Sequence, residues 1–160
     1  MPTGDNPISD AFLGWRKYSQ EISEFKVGEI IAMSNLKDPI SKEIIAAYDA
    51  PFPDETYKEG ARIFPSLVPI TPDDPASTAN REAWKVLSQF EKPLVTMFSD
   101  GDPITRGGEG IFQKMVPGAK NQPHMTIKGG GHFLQENRGE EFAGAIVDFM
   151  SRTPLMNGSV

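Results

Sequence analysis

The spacing of apolar residues predicts short helices in the first half of the chain. Apolar and aromatic side chains recur every three to four positions between residues 11 and 18, which is typical of one helical face. Ser9 stands directly before this pattern and is a suitable N-cap. Further helical patterns cover residues 41–50 and 83–90, and prolines interrupt the segments between them. We predict no strand in this half.

The second half of the chain has a different pattern. Residues 92–104 contain a short apolar run without alternation, which is typical of a strand that is buried on both faces of a parallel sheet. A helix is predicted around residues 110–116, a second strand at 124–128 and a last helix at 135–150. The residues that form the predicted buried stripe of the last helix are Phe142, Ile146, Phe149 and Met150.

This order of elements predicts the fold class and the domain organisation. Strand, helix, strand and helix in succession form a βαβα unit, so we expect an α/β fold with two parallel strands and right-handed crossovers. The chain is then divided into a helical segment at residues 1–90, a βαβα unit at 91–150 and a flexible tail at 151–160.

Composition excludes several classes of function. The net charge is -6 and the pI is near 4.9, and no basic stripe is present, which argues against nucleic acid or an anionic membrane surface as a partner. The chain has no cysteine and two histidines, so disulfides, thiolate chemistry and a structural zinc site are not expected. No apolar run approaches the roughly 20 residues that cross a bilayer. We expect a soluble, cytoplasmic protein.

Two chemically active residues follow the two predicted strands. Asp102 comes after the first strand in FSDGDPIT, and His132 comes after the second strand, at the end of a run of three glycines. The carboxyl ends of parallel strands meet at one edge of a sheet, so the two side chains can form a pair there. In such a pair the carboxylate holds the imidazole in one tautomer, and the histidine acts as a general base. Asp100 is the alternative to Asp102.

Several motifs of the sequence resemble a known family. An aspartate after one late strand and Gly-His-Phe after the last strand resemble the α/β-hydrolases. Within that superfamily, AAYDAPFPDETYKEGARIFP at residues 46–65 resembles the cap-domain signature of haloalkane dehalogenases, and GHFLQE at 131–136 resembles their terminal histidine motif. PTGD at 2–5 and FSDGDPITRGG at 98–108 are also similar to that family. The resemblance covers residues 2–150 and implies the C-terminal portion of the fold, comprising the cap and the last βαβα unit.

The resemblance implies a role for four residues of this chain. His132 matches the base that activates water, and Asp102 matches the acid that orients it. Trp15 matches a cap tryptophan whose indole N–H points at the leaving halide, with Phe12 nearby on the pocket wall. The implied substrate is a halogenated alkane, and the implied products are an alcohol and halide, with no cofactor and no metal. The other tryptophan, Trp84, is interpreted as a packing residue.

Two parts of the implied active site are not found in this sequence. The turn that carries an α/β-hydrolase nucleophile needs glycines on both sides of it, and no two glycines lie four residues apart. Neither histidine is followed by glycine, so the usual oxyanion-hole loop is absent as well. We therefore expect the chain to be inactive alone.

Two alternatives to a dehalogenase remain open at this stage. A different α/β-hydrolase, such as an epoxide hydrolase, would use cap tyrosines to polarise the epoxide oxygen, and Tyr18, Tyr48 and Tyr57 are the candidates. A non-catalytic half-domain would instead bind a partner through an exposed sheet edge and through the aromatic helix around Trp15. The YDAPFPD stretch disfavours the epoxide hydrolase.

We predict that the isolated chain is poorly folded, associates with itself or requires a complementary half. Two parallel strands expose an edge and an apolar face, and a sheet of that size is not stable alone in water. Light scattering at micromolar concentration should give a mass above the 17.6 kDa of one chain. A monomer that melts in one sharp, cooperative transition would contradict this expectation.

Overall fold

The structure, a computed structural model, describes residues 1–35 and 39–153 and divides the chain into two compact units, Met1–Ser88 and Gln89–Val160. The predicted tail falls at the end of the second unit, where Ser151 and Arg152 belong to a helix and residues 154–160 lie outside the described residues.

All regular elements in the described part of the first unit are helices, as the sequence pattern predicts. Two short 3-10 turns in this part connect or extend the helices. The α-helices of this unit are α1 (Asp10–Glu21), α2 (Val27–Met33), α3 (Lys42–Asp49), α4 (Glu59–Ile63) and α5 (Ser77–Leu87), and its 3-10 turns are Glu55–Lys58 and Phe64–Leu67.

Side-chain caps set the starts of two of these helices. The Ser9 hydroxyl accepts a hydrogen bond from the Phe12 N–H at 3.3 Å, and α1 begins at the next residue, which confirms the predicted N-cap. Ser41 caps α3 in the same way. Helix α2 was not predicted. Its N-cap, Lys26, makes no side-chain cap, and an Asp49 oxygen from α3 accepts the N–H of Gly28 at 2.9 Å instead.

Arg62 on α4 connects several segments of the first unit. Its guanidinium donates to the carbonyl oxygen of Ile22 at 2.6 Å and to that of Ser23 at 3.2 Å, just beyond the end of α1. It also pairs with Glu55 at 2.6 Å and lies 5.1 Å from the ring centroid of buried Phe25. An arginine can make these contacts together because its planar group carries five donors and a polarised face.

The second unit contains a two-stranded parallel sheet, as expected for an α/β fold. Strand β1 (Met97–Ser99) pairs with β2 (Met125–Ile127), with Phe98 opposite Thr126. Both strands are shorter than the apolar runs from which they were predicted. The remaining elements are α6 (Glu109–Met115), a 3-10 turn at Pro117–Ala119, α7 (Leu134–Asn137) and α8 (Gly139–Arg152).

The last predicted helix is divided in the structure. Arg138, between α7 and α8, has φ -141° and ψ 29°, which is not helical. Its side chain returns to the sheet, where Nε donates to the carbonyl oxygen of Lys128 at 3.1 Å. The predicted buried stripe is wrong at two of its four positions: Phe142 and Phe149 are half-buried, but Ile146 is 38% exposed and Met150 is 66% exposed, because two strands are too narrow to cover α8.

The core of each unit is small. Phe25 and Ile31 are the buried hydrophobic residues of the first unit, while Val116, Ala119, Ile127 and Leu134 are those of the second. In the described part of the chain, no helix has both the length and the apolar character needed to span a membrane.

We predict that Glu55 makes the first unit sensitive to acid. Hydrogen bonds from Lys58, from Arg62 and from the Phe25 N–H lower the pKa of Glu55 from 4.5 to about 2. A carboxylate whose pKa is lower in the folded state stabilises that state above its unfolded pKa, and this contribution is lost as the pH falls from about 4.5 towards 2. Glu55→Gln should therefore lose less stability over this interval than the wild type.

Urea unfolding at a series of pH values, followed by tryptophan fluorescence, measures this effect in the first unit, because Trp15 and Trp84 both lie there and the chain has two tryptophans. Glu82→Gln is the matched control, since Glu82 pairs with Lys85 on the exposed face of α5. Identical pH dependence in the wild type and in Glu55→Gln would show that Glu55 has no such role.

Candidate functional site

The loops after β1 and β2 are joined by backbone and side-chain hydrogen bonds. The Ser99 hydroxyl donates to the carbonyl oxygen of Gly131 at 2.8 Å, and the Gly101 N–H donates to that of Gly130 at 3.1 Å. The glycine run therefore lies directly against the turn that follows β1. The three glycines before His132 thus allow the loop after β2 to lie close to the loop after β1.

One glycine in each of the two loops has a conformation or a contact that other residues would not tolerate. Gly129 has φ +71°, in the left-handed region that favours glycine. A Cβ atom on Gly101 would lie 2.4 Å from the carbonyl oxygen of Gly130, well inside van der Waals contact. The approach of the two loops thus depends on the absence of side chains at their point of contact.

The structure brings Asp102 and His132 into direct contact. His132 Nδ1 lies 2.9 Å from Asp102 Oδ1. A carboxylate can only accept a hydrogen bond, so Nδ1 carries the proton in this contact. None of the described residues forms a hydrogen bond with the other ring nitrogen, Nε2, and the His132 side chain is 34% exposed. Nε2 can accept a proton from a molecule that reaches the site.

Asp102 is buried and held in the ionised form. Its side chain is 7% exposed. Oδ1 also accepts the N–H of Ile104 at 2.7 Å, and Oδ2 accepts the hydroxyl of Thr105. Burial raises the pKa of Asp102, but the hydrogen bonds from Thr105, Ile104 and His132 together outweigh it and leave the pKa below its usual value. The carboxylate is thus negative beside the imidazole at neutral pH.

Sequence reasoning missed Thr105. Its signal is the spacing Asp-Pro-Ile-Thr, in which a hydroxyl three residues after an aspartate can reach back to the carboxylate in a tight turn. This hydrogen bond occupies the carboxylate oxygen that does not contact the imidazole, and it helps to fix the direction of the Asp102 side chain.

The alternative acid, Asp100, has a different partner. Its Oδ1 accepts the N–H of Gly129 at 2.7 Å, and Lys128 Nζ lies 3.8 Å from its other oxygen. Of the two aspartates in FSDGDPIT, Asp102 is therefore the one that contacts His132.

The second histidine is engaged at both ring nitrogens. His124 Nδ1 accepts the backbone N–H of Thr96 at 3.1 Å, and Nε2 lies 2.8 Å from the carbonyl oxygen of Ala119, to which it donates. This assigns His124 the Nε2–H tautomer, opposite to that of His132. His124 connects the starts of the two strands and has a structural role.

The predicted halide-binding residues lie in the other unit. Trp15 on α1 is half-buried and packs against two aromatic rings, with centroid distances of 5.9 Å to Tyr18 and 5.8 Å to Phe25. Phe12 is half-buried one turn earlier on the same helix. None of the described residues accepts a hydrogen bond from the Trp15 indole N–H. By contrast, Trp84 Nε1 donates to the carbonyl oxygen of Met1 at 2.8 Å.

No cluster of three or more metal-ligating side chains occurs within residues 1–35 and 39–153. The chemistry that these residues offer is a half-buried imidazole whose Nδ1–H is bonded to a buried carboxylate and whose Nε2 has no hydrogen-bond partner among the described residues. That arrangement can accept a proton from water and stabilise the imidazolium that forms.

Comparison with solved structures identifies the class of fold. The tetrameric haloalkane dehalogenase DpaA from Paraglaciecola agarilytica matches 94% of this chain with a TM-score of 0.77 and 24% sequence identity, and the match covers 48% of that protein's chain. Two parallel strands with flanking helices, preceded by a helical segment, are therefore the C-terminal part of an α/β-hydrolase fold. No protein-family model matches the chain.

The chain is similar to curated haloalkane dehalogenases. The chain is 54% identical over 154 residues to a haloalkane dehalogenase from Psychrobacter cryohalolentis, which covers 96% of this chain and 50% of that protein. It is 41% identical over 149 residues to one from Mycolicibacterium paratuberculosis, which covers 93% of this chain and 49% of that protein. The chain is thus homologous to haloalkane dehalogenases over almost its whole length, and it spans about half the length of the curated relatives it matches.

We predict that Gly101→Ala separates the two loops of the site. The added methyl group would overlap the carbonyl oxygen of Gly130, and overpacking of this kind costs about 1–3 kcal/mol. Hydrogen exchange at the amide groups of β2 should become faster. In Gly110→Ala, the control, the added Cβ meets open space on α6, where alanine favours the helix, so exchange should stay the same or slow down. Equal exchange rates in the two variants would contradict a close approach at Gly101.

Proposed function

We propose that this chain supplies the histidine–aspartate pair and the halide-binding cap of a haloalkane dehalogenase. The observation that carries the proposal is the 2.9 Å contact between His132 Nδ1 and buried Asp102, which leaves Nε2 of the imidazole available. The sequence identity to haloalkane dehalogenases supports the assignment of the reaction. The substrate is a halogenated alkane, and the products are an alcohol and halide.

The proposed reaction has two stages. A carboxylate nucleophile, which is not found in this sequence, displaces halide from an alkyl carbon and forms an ester with the enzyme. His132 Nε2 then accepts a proton from water as the water attacks that ester, and Asp102 stabilises the resulting imidazolium. The ester C–O bond breaks, and the departing oxygen takes the proton from the imidazolium to give the alcohol. The nucleophilic carboxylate is regenerated when the second proton of the water is released to solvent. The reaction requires no cofactor and no metal.

Trp15 is proposed to bind the leaving halide. An indole N–H is a donor without an acceptor, so it can stabilise an anion in an apolar pocket without a fixed positive charge. Its indole N–H has no acceptor among the described residues, and Phe12 contributes an apolar wall on the same helix.

The second candidate is a non-catalytic half-domain that binds a partner through exposed apolar surface. The observation in its favour is the outward face of α8, where Val147 and Met150 are each 66% exposed. The same surface is expected if a complementary half covers it, and the relative from Paraglaciecola agarilytica is tetrameric, so self-association is a further way to cover it.

The epoxide hydrolase alternative has no such observation: of its candidate tyrosines, Tyr18 is stacked on Trp15 and Tyr57 is 63% exposed.

We predict that the chain releases halide only when it is completed. The 160-residue chain should be co-expressed with the half of the Psychrobacter cryohalolentis relative that it does not match, and halide release from a short bromoalkane should be measured. The chain alone should release none, because it lacks a nucleophile. Absence of activity in a stable complex of the two halves would overturn the proposal.

A variant of His132 in the complex of the two halves, with a matched control, separates the two stages of the reaction. His132→Gln should still allow the first displacement, so it should release about one halide per site in a burst and then turn over roughly 100- to 10,000-fold more slowly. Asp148→Asn is the control, since the exposed Asp148 side chain on α8 pairs with Arg152. Steady turnover by His132→Gln at the wild-type rate would exclude His132 as the base.

A further inference from the structure

Asp100 links the loop after β1 to the loop that carries His132. Its carboxylate accepts the backbone N–H of Gly129 at 2.7 Å, and Gly129 begins the glycine run at φ +71°. The backbone N–H of Asp100 donates in turn to the carbonyl oxygen of Ile127, the last residue of β2. A single residue thus bonds to β2 through its main chain and to the following turn through its side chain.

The contact made by Asp100 is one of three that join residues 99–101 to the glycine run. The side chain of Ser99 bonds to Gly131, the side chain of Asp100 bonds to Gly129, and the N–H of Gly101 bonds to Gly130. All three glycines are therefore held by the turn that also carries Asp102. His132 follows the last of them directly, so the position of its backbone depends on these contacts.

We propose that Asp100 is a positioning residue for His132: its carboxylate oxygen fixes the start of the glycine run and thereby places the imidazole Nδ1 against Asp102. The proposal deepens the proposed function and rests on it for the catalytic role of His132. The accepting oxygen, rather than the negative charge, carries the effect. Lys128, the nearby cation, is 3.8 Å away with a side chain that is 81% exposed, and an ion pair of that kind contributes little.

The tautomer of His132 tests this role in the full chain without any measurement of activity. The chain has two histidines, and the structure assigns them opposite tautomers, with the proton on Nδ1 in His132 and on Nε2 in His124. Long-range ¹H–¹⁵N spectra of ¹⁵N-histidine-labelled protein at a pH where both rings are neutral distinguish the two forms. His124 serves as an internal reference, since its partners Thr96 and Ala119 do not involve Asp100.

Three variants separate the effect of the accepting oxygen of Asp100 from the effect of its negative charge. Asp100→Asn keeps an oxygen that accepts the N–H of Gly129, and it should keep the Nδ1–H tautomer of His132. Asp100→Ala removes the acceptor, and His132 should lose that tautomer while the spectrum of His124 is unchanged. Lys128→Gln removes the nearby cation and should have no effect on either ring.

Two results would overturn the proposal. His132 could retain the Nδ1–H tautomer in Asp100→Ala, which would show that the contact with Gly129 does not position the ring. Both histidines could change together in Asp100→Ala, which would assign Asp100 to the folding of the whole unit. The spectra do not depend on halide release, so the two proposals can fail separately. If the proposed function is wrong, the completed protein is inactive, but the His132 spectra of Asp100→Asn and Asp100→Ala still differ.

Discussion

The candidate site depends on the close approach of two loops that leave neighbouring parallel strands at the same edge. Parallel pairing of β1 and β2 brings the ends of the strands together, but it does not by itself bring their loops into contact. The loops come into contact where Gly101 meets the glycine run, because glycines have no side chains that would hold the two loops apart. Asp102 and His132 are each within two residues of that contact, and their 2.9 Å distance follows from it.

The two units are organised around polar groups as much as around apolar ones. The hydrophobic core of each unit is small, and buried serine, asparagine, threonine and aspartate side chains occur beside it. Arg62 joins the end of α1 to Glu55 in the first unit, and Asp102 joins Ile104, Thr105 and His132 in the second. Buried polar groups are costly unless they are paired, so such networks define one arrangement of the surrounding loops more strictly than apolar contacts do.

Local patterns in the sequence predicted the features that depend on local physics. The N-cap at Ser9, the parallel strands and the aspartate and histidine after them all follow from short-range preferences and from the rule that parallel strands end at one edge. Helix α2 was missed because the N–H of Gly28 in its first turn is bonded to distant Asp49, and no local side chain caps the helix. The exposure of Met150 could not be predicted either, because it depends on how many strands lie beneath α8.

The interruption at Arg138 separates the histidine loop from the longest helix of the second unit. The Arg138 side chain bonds back to Lys128, next to the glycine run, while α8 starts afresh at Gly139. A continuous helix is rigid, so any shift of its C-terminal end would also move the loop that carries His132. With the break, the outer surface of α8 can accommodate different neighbours, or change in sequence, while the imidazole keeps its place beside the carboxylate.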